Sequence, residues 1–201
     1  MDEVLCVFGD STGWGAWDKE RGGWVNRLWL FCAQNIPGLW VHNLSITGET
    51  TKTLLPRLER ESEVREAGIL IIQIGKNDAA YIKEPDNLQI SPEKFRANIL
   101  ALAALARKIA GTVIFIGLAN VDESKTKPVP WAKDLYYTNE NIEKYNTILK
   151  EVCGELTLPF IDILGYLAED DLEDGLHPNA RGHEKIFVKV RDFLLNEKII
   201  I

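Results

Sequence analysis

Four short stretches hold side chains that could do chemistry. They are Gly9-Asp10-Ser11, Gly48 within Ser45-Ile46-Thr47-Gly48-Glu49, Gly75-Lys76-Asn77-Asp78, and Asp174-Gly175-Leu176-His177-Pro178. Taken singly, each also reads as a turn or a helix cap, because Gly, Ser, Asn and Asp favour both. Gly48 can simply permit a positive φ. Together they supply every part that acyl transfer needs. A serine nucleophile requires a base, and the base requires an orienting group. Asp174 and His177 lie on one short segment. One loop can therefore bring carboxylate and imidazole together. His177 then takes the proton of Ser11, while Asp174 fixes the tautomer and stabilises the imidazolium. The tetrahedral intermediate needs preorganised donors. The backbone N–H groups of Ser11 and Gly48 and the side-chain amide of Asn77 are the candidates.

The surrounding pattern must position these groups. Apolar runs at residues 4–8, 39–44, 68–74, 112–118 and 158–163 read as five strands. Residues 23–34, 50–66, 91–110, 139–155 and 180–197 carry apolar residues at helical spacing. The run GILIIQI is continuous, as in a parallel strand buried on both faces. The helix at 91–110 opens S-P-E, a serine cap followed by proline. Strand–helix alternation predicts a parallel sheet covered on both faces, and five strands suit an open doubly wound sheet. An eight-fold barrel typically needs about 250 residues, and this chain has 201. We read it as one domain over residues 1–201, without repeat or linker. In such sheets ligands bind outside the carboxyl ends of the strands, and each of the four stretches follows a strand. The longest irregular stretch is 119–138, with Pro128, Pro130 and Trp131, and a loop of that length is often functional.

The four stretches resemble the blocks of the GDSL, or SGNH, hydrolases. Ser11 in Gly9-Asp10-Ser11 matches the nucleophile block, and Gly48 the second. Gly75-x-Asn77-Asp78 matches the third, and Asp174-x-x-His177-Pro178 the last. They occur in the family's order and span most of the chain. The resemblance implies a flavodoxin-like three-layer α/β/α fold and metal-free hydrolysis of esters or thioesters, with no cofactor. It implies Ser11, Asp174 and His177 as the triad and Ser11, Gly48 and Asn77 as the oxyanion hole. Two positions depart from the pattern. Thr12 stands where the family has leucine, which loses an apolar contact. Lys76 stands where many relatives carry a small residue, and it adds positive charge if it points inward. Gly9-Asp10-Ser11-Thr12-Gly13 also fits the G-x-S-x-G elbow of α/β-hydrolases. That elbow needs strands upstream, and only eight residues precede Gly9.

Trp14 and Trp17 follow the nucleophile and serve equally as a substrate wall or as packing. Trp131 and Lys76 are further substrate-contact candidates. Trp24 and Trp29 read as core, Trp40 as lying in or beside a strand, and His42 as structural. Gly9 and Gly13 are expected to permit a tight turn. A metal site from Asp174, His177 and His183 lacks a fourth ligand, so no metal is expected. Cys6, Cys32 and Cys153 show no C-x-x-C spacing and read as buried thiols. The apolar end Ile199-Ile200-Ile201 can dock on the fold or on a partner subunit.

The net charge of −7 disfavours nucleic-acid or anionic-membrane partners. No run approaches the ~18 apolar residues of a membrane helix. Sparse cysteines and the lack of a signal-like start point to a soluble cytoplasmic protein. The expected partner is a small-molecule ester. A homo-oligomer stays open at this stage. The leading function is a serine ester hydrolase acting on an acetyl or short-chain ester, such as an acetylated carbohydrate. A thioesterase or lysophospholipase comes second. A metal-dependent phosphoesterase has too few histidines in its favour, and a non-catalytic binding module gains no positive support.

Overall fold

The computed structural model describes residues 3–201. The elements run β1 (Glu3–Gly9), α1 (Ser11–Trp14), α2 (Trp24–Asn35), β2 (Leu39–Asn43), α3 (Thr51–Glu63), β3 (Ile69–Gln73), β4 (Tyr81–Ile82) and α4 (Pro92–Ile109). Then come β5 (Thr112–Ile116), α5 (Glu123–Thr126), β6 (Leu135–Tyr136), α6 (Asn139–Glu155), β7 (Phe160–Ile161), a 3₁₀ turn at Glu169–Asp171, and α7 (Ala180–Asn196).

Five strands form one parallel sheet in the order β2-β1-β3-β5-β7. The chain starts mid-sheet, steps out to β2, returns to the far side of β1 at β3, and winds outward to β7. This is the flavodoxin-like doubly wound order, so the expected three-layer α/β/α architecture is the one observed. Side-chain alternation builds the layers. Leu5 and Val7 of β1, Ile69 and Ile71 of β3, and Ile114 and Ile116 of β5 pack beneath α2 and α7. Cys6, Phe8, Leu70, Ile72, Val113 and Phe115 point the other way, beneath α3, α4 and α6. Burying each such side chain is worth about 1.5–3 kcal/mol. Every residue of β3 is buried, which is why it is apolar up to Gln73, whose side-chain oxygen accepts from the Trp24 indole N–H at 2.8 Å. The edge strand β2 buries Val41 alone.

Helix starts follow their caps. Ser91 accepts from the Lys94 N–H at 3.3 Å ahead of Pro92, and Thr138 accepts from Asn141 at 3.3 Å. Several expectations need correction. The strand expected at 158–163 shrinks to two residues, because β7 pairs with β5 through Phe115–Phe160 and Ile116–Ile161 alone. The stretch 119–138 is not a bare loop. It holds α5 and β6, and β6 pairs antiparallel with β4, with the Tyr81 and Tyr136 rings stacked at 4.9 Å. Two-residue strands have no periodicity to reveal them. Trp24 is core, as expected, but Trp29 is 46% exposed. The buried stripe of α2 is Trp24, Val25, Leu28 and Cys32, and Trp29 stands one position past it. Trp40 lies in β2 and is exposed, as is His42, which therefore has no place in the core. All three cysteines are buried, and burial pushes their thiols up, to about 11 for Cys6 and Cys32 and about 12 for Cys153. Ile200 docks on the fold beside Leu194 while Ile201 is exposed. Among the described residues no helix is long and apolar enough to cross a membrane.

Candidate active site

The winding reverses between β1 and β3, whose carboxyl ends lie side by side, Gly9 against Gln73. A doubly wound sheet opens a crevice at that point. Ser11 follows one of these strands and Asn77 the other.

Ser11 opens α1. Asp10 caps this one-turn helix, its carboxylate accepting from the Thr12 N–H at 2.8 Å. The Ser11 N–H thus lies ahead of the first intrahelical bond, among the donors a helix start leaves free. Gly9 and Gly13 are needed for a different reason than expected. Neither adopts a positive φ. A Cβ on Gly13 would stand 2.4 Å from Ser45 Oγ, and one on Gly9 2.9 Å from the Gln73 carbonyl. Close approach of neighbouring chain, not turn freedom, excludes a side chain there. Gly48 is the converse. Nothing lies within 4 Å of its would-be Cβ, but its φ is +76°, a conformation that costs other residues.

Across the crevice, Ser11 Oγ lies 2.8 Å from His177 Nε2. His177 Nδ1 lies 2.8 Å from Asp174 Oδ2. Asp174 Oδ1 accepts from the backbone N–H groups of Leu176 at 3.0 Å and His177 at 2.8 Å. Burial pushes the Asp174 carboxyl up, but the hydrogen bonds from the His177 ring and from the two N–H groups outweigh it and hold it down at about 2. An ionised Asp174 accepts the Nδ1 proton, which leaves Nε2 unprotonated and ready to receive the hydroxyl proton of Ser11. The loop is closed on itself: Glu173 N–H donates to the His177 carbonyl at 2.9 Å. Asn179 then caps α7, accepting from Arg181 and Gly182 at 3.1 Å.

Asn77 has a fixed orientation. Its Oδ1 accepts from the Tyr137 hydroxyl at 2.7 Å, and its Nδ2 donates to the Glu49 carbonyl at 2.9 Å. One amide hydrogen is thereby used and the other is available to the crevice. Asp78 caps neither Asn77's loop nor the helix that follows. Its carboxylate accepts from Thr51 N–H and Thr51 Oγ1 at the start of α3, the helix before it. Burial outweighs these bonds and raises its carboxyl to about 6.

The open cleft here has a volume of about 550 Å³ and is lined by Ser11, Gly48, Asn77, His177 and the indoles of Trp14, Trp17 and Trp131. Trp131, from the 119–138 stretch, packs against the His177 ring at 5.6 Å. Trp17 does more than form a wall: its Nε1–H donates to Asp174 Oδ2 at 2.6 Å. Sequence offered no signal for that bond, which joins residues at opposite ends of the chain, nor for Tyr137, which locks Asn77.

Lys76 is a correction. It is 5% exposed and its ammonium donates to the Leu176 carbonyl at 3.1 Å, behind the site. A buried, bonded ammonium cannot meet substrate in the cleft. His183 also turns away from the site. Its Nδ1 accepts from Trp24 N–H at 3.2 Å and its Nε2 bonds the Ala16 carbonyl at 2.9 Å. Burial brings it down to about 4, so it stays neutral and ties down both ends of the segment that carries Trp17.

The sequence matches the model of the GDSL-like Lipase/Acylhydrolase family over residues 7–185. No curated protein matches it. Among solved structures, a lipase/acylhydrolase from Enterococcus faecalis is similar at 24% identity, with a TM-score of 0.77, over 97% of this chain and 96% of that one. An alpha/beta hydrolase enzyme from the metagenome of Lake Arreo, Spain, is similar at 19% identity and a TM-score of 0.75, over 96% and 94%. An acetylxylan esterase from Geobacillus stearothermophilus is similar at 18% identity and a TM-score of 0.74, over 96% and 92%.

Proposed function

The chain belongs to the GDSL-like lipase/acylhydrolase family, and from that premise we propose that it is a serine ester hydrolase using Ser11, His177 and Asp174 on a small acetyl or short-chain ester. The observation that carries the reading is the pair of 2.8 Å contacts linking Ser11 Oγ to His177 and His177 to Asp174 at the floor of an open cleft. Ser11 Oγ attacks the ester carbonyl as His177 Nε2 takes its proton. Asp174 holds the resulting imidazolium. The developing oxyanion is received by the N–H groups of Ser11 and Gly48 and by Asn77 Nδ2, donors whose preorganisation lowers the barrier. Collapse expels the alcohol, protonated by His177. Water, deprotonated by the same imidazole, then frees the acid and restores Ser11.

Three points support a small ester. The cleft is walled by indoles rather than extended into an aliphatic channel. Indole faces also suit sugar rings, through stacking of C–H faces on π systems. One similar fold is an acetylxylan esterase. An acetylated carbohydrate is the substrate we favour, hydrolysed by one domain that spans the chain, in the cytoplasm. The test is a series of aryl esters of rising chain length, together with fluorophosphonate labelling. The expected result is fastest turnover of the acetyl ester and labelling lost in Ser11→Ala. A rate climbing to long chains would return the thioesterase or lysophospholipase reading. A folded protein that neither labels nor hydrolyses any ester would sink the proposal.

A further inference from the structure

The buried ammonium of Lys76 has a peculiar address. Its acceptor is the Leu176 carbonyl. That carbonyl belongs to the same peptide group as the His177 N–H, which donates to Asp174 Oδ1 at 2.8 Å. A chain of hydrogen bonds thus runs from Lys76 Nζ through one peptide to the carboxylate that faces His177 Nδ1. A cation on the oxygen end of a peptide polarises it and strengthens the bond made by its N–H, an effect enlarged where water is excluded.

Stability does not explain the charge. Behind Ser11, Lys76 shares a small cavity of about 10 Å³ with Asp10 and with Thr12, whose buried hydroxyl has no hydrogen-bond partner. Burial drives the Lys76 ammonium down and the Asp10 carboxyl up, each only partly offset by the other's charge. Apolar side chains in place of both Lys76 and Asp10 would fill the space without that desolvation.

We infer that Lys76 is a positioning residue for the Asp174–His177 loop, acting through the Leu176–His177 peptide to hold Asp174 in register with the imidazole. This rests on the proposed roles of Ser11, His177 and Asp174. It also gives the departure from the family's third block a use: the cation stands under the base loop rather than in the substrate cleft. Thr12, the other departure, lines the same cavity.

The experiment compares wild type with Lys76→Met, which keeps the unbranched stem and removes donor and charge, and with Lys76→Gln, which keeps a donor without charge. Steady-state kinetics on an aryl acetate, the fluorophosphonate labelling rate and thermal melting are measured on each. Lys76→Met is expected to lower kcat and the labelling rate about ten-fold, the scale of a charge-assisted hydrogen bond, with KM nearly unchanged and Tm lowered, because the buried Asp10 carboxyl loses the cation beside it. Lys76→Gln is expected to fall between. Wild-type kcat and labelling rate in Lys76→Met would overturn the inference while leaving the serine-hydrolase reading intact. So would a lower Tm with unchanged kcat per folded molecule, or failure of both variants to fold, since either makes Lys76 structural. Absence of labelling in wild type would instead strike the reading beneath it.

Discussion

Two clefts of nearly equal volume lie at opposite edges of the sheet. The one at the carboxyl edge, with Ser11 and His177, has about 550 Å³. The one at the amino edge has about 580 Å³ and is lined by Arg107, Thr112, Leu158, Phe160, Phe193 and Ile199 among others. Their chemistry is opposite. At the carboxyl edge the chain leaves strands and enters helices α1, α3 and α7. Free N–H groups, caps and loop side chains gather there. At the amino edge α4, α6 and α7 end, at caps Ala110, Leu156 and Glu197, and helix ends offer carbonyls. Arg107 answers one of them, donating to the Leu156 carbonyl. The difference teaches that volume does not make a site. Parallel strands put every helix start on one edge, and donors able to receive a growing negative charge collect there and not at the other.

The comparison can be broken most directly at the proposed nucleophile. Ser11→Ala is expected to lower kcat/KM for an aryl acetate by at least about 10³-fold, on the scale of removing a triad member; a variant retaining most of its activity would mean that the carboxyl-edge cleft hydrolyses by other means. Next comes the proposed oxyanion donor. Asn77→Ala is expected to cost about 10²–10³-fold in kcat with KM little changed, and a raised KM with kcat unchanged would make Asn77 a substrate anchor instead. Trp17→Phe keeps a ring in the cleft and removes the indole N–H from Asp174. A loss of about three- to ten-fold in kcat is expected for one hydrogen bond to a charged group, measured beside Tm so that loosening of the segment is seen separately.

A smaller effect sharpens the electrostatic side. The Asp78 carboxyl, raised from 3.8 to about 6, contributes stability fully present below its unfolded value and lost as pH rises through about 6. Asp174, lowered to about 2, runs the other way: its contribution is present above 3.8 and lost as pH falls through about 2. Melts of wild type against Asp78→Asn between about pH 4 and 7 should therefore show the wild type gaining a few degrees relative to the variant as pH falls. A constant difference would mean that Asp78 is not held neutral by burial. The smallest effect belongs to the amino edge. Arg107→Ala should leave kcat/KM within about two-fold, since surface changes away from special features shift little. A large loss there would overturn the contrast between the edges.

Much of this site was legible in sequence because its parts are local. Gly9-Asp10-Ser11 follows β1 at once, and Asp174 and His177 share a loop, so type and spacing carried the information. The central strands announced themselves because burial on both faces leaves little room for polar residues, as in Ile69–Ile72. What escaped had no local signature. The bond from Trp17 to Asp174 and the lock of Tyr137 on Asn77 join segments far apart in the chain. The two-residue strands Tyr81–Ile82 and Leu135–Tyr136 exist only as a pair. Lys76 misled for a different reason: a lysine in a motif suggests a cation facing substrate, and nothing in the residues beside it reveals that its neighbour in space is the carbonyl of Leu176. Trp29 misled because a stripe one residue wide separates core from solvent on α2.

The pairing of α2 and α7 over one face of the sheet has a consequence for the chain during its own synthesis. Ser11 is synthesised long before His177, and both come before α7. Until α7 (Ala180–Asn196) emerges, Leu5, Ile71 and Ile116 lack one of the two helices that cover them. A polypeptide stopped ahead of Ala180 would carry a nearly complete site above an open apolar face, the kind of surface that chaperones and proteases engage. The truncation that leaves the proposed site unsupported is thus the same one that bares the apolar face of the sheet beneath it.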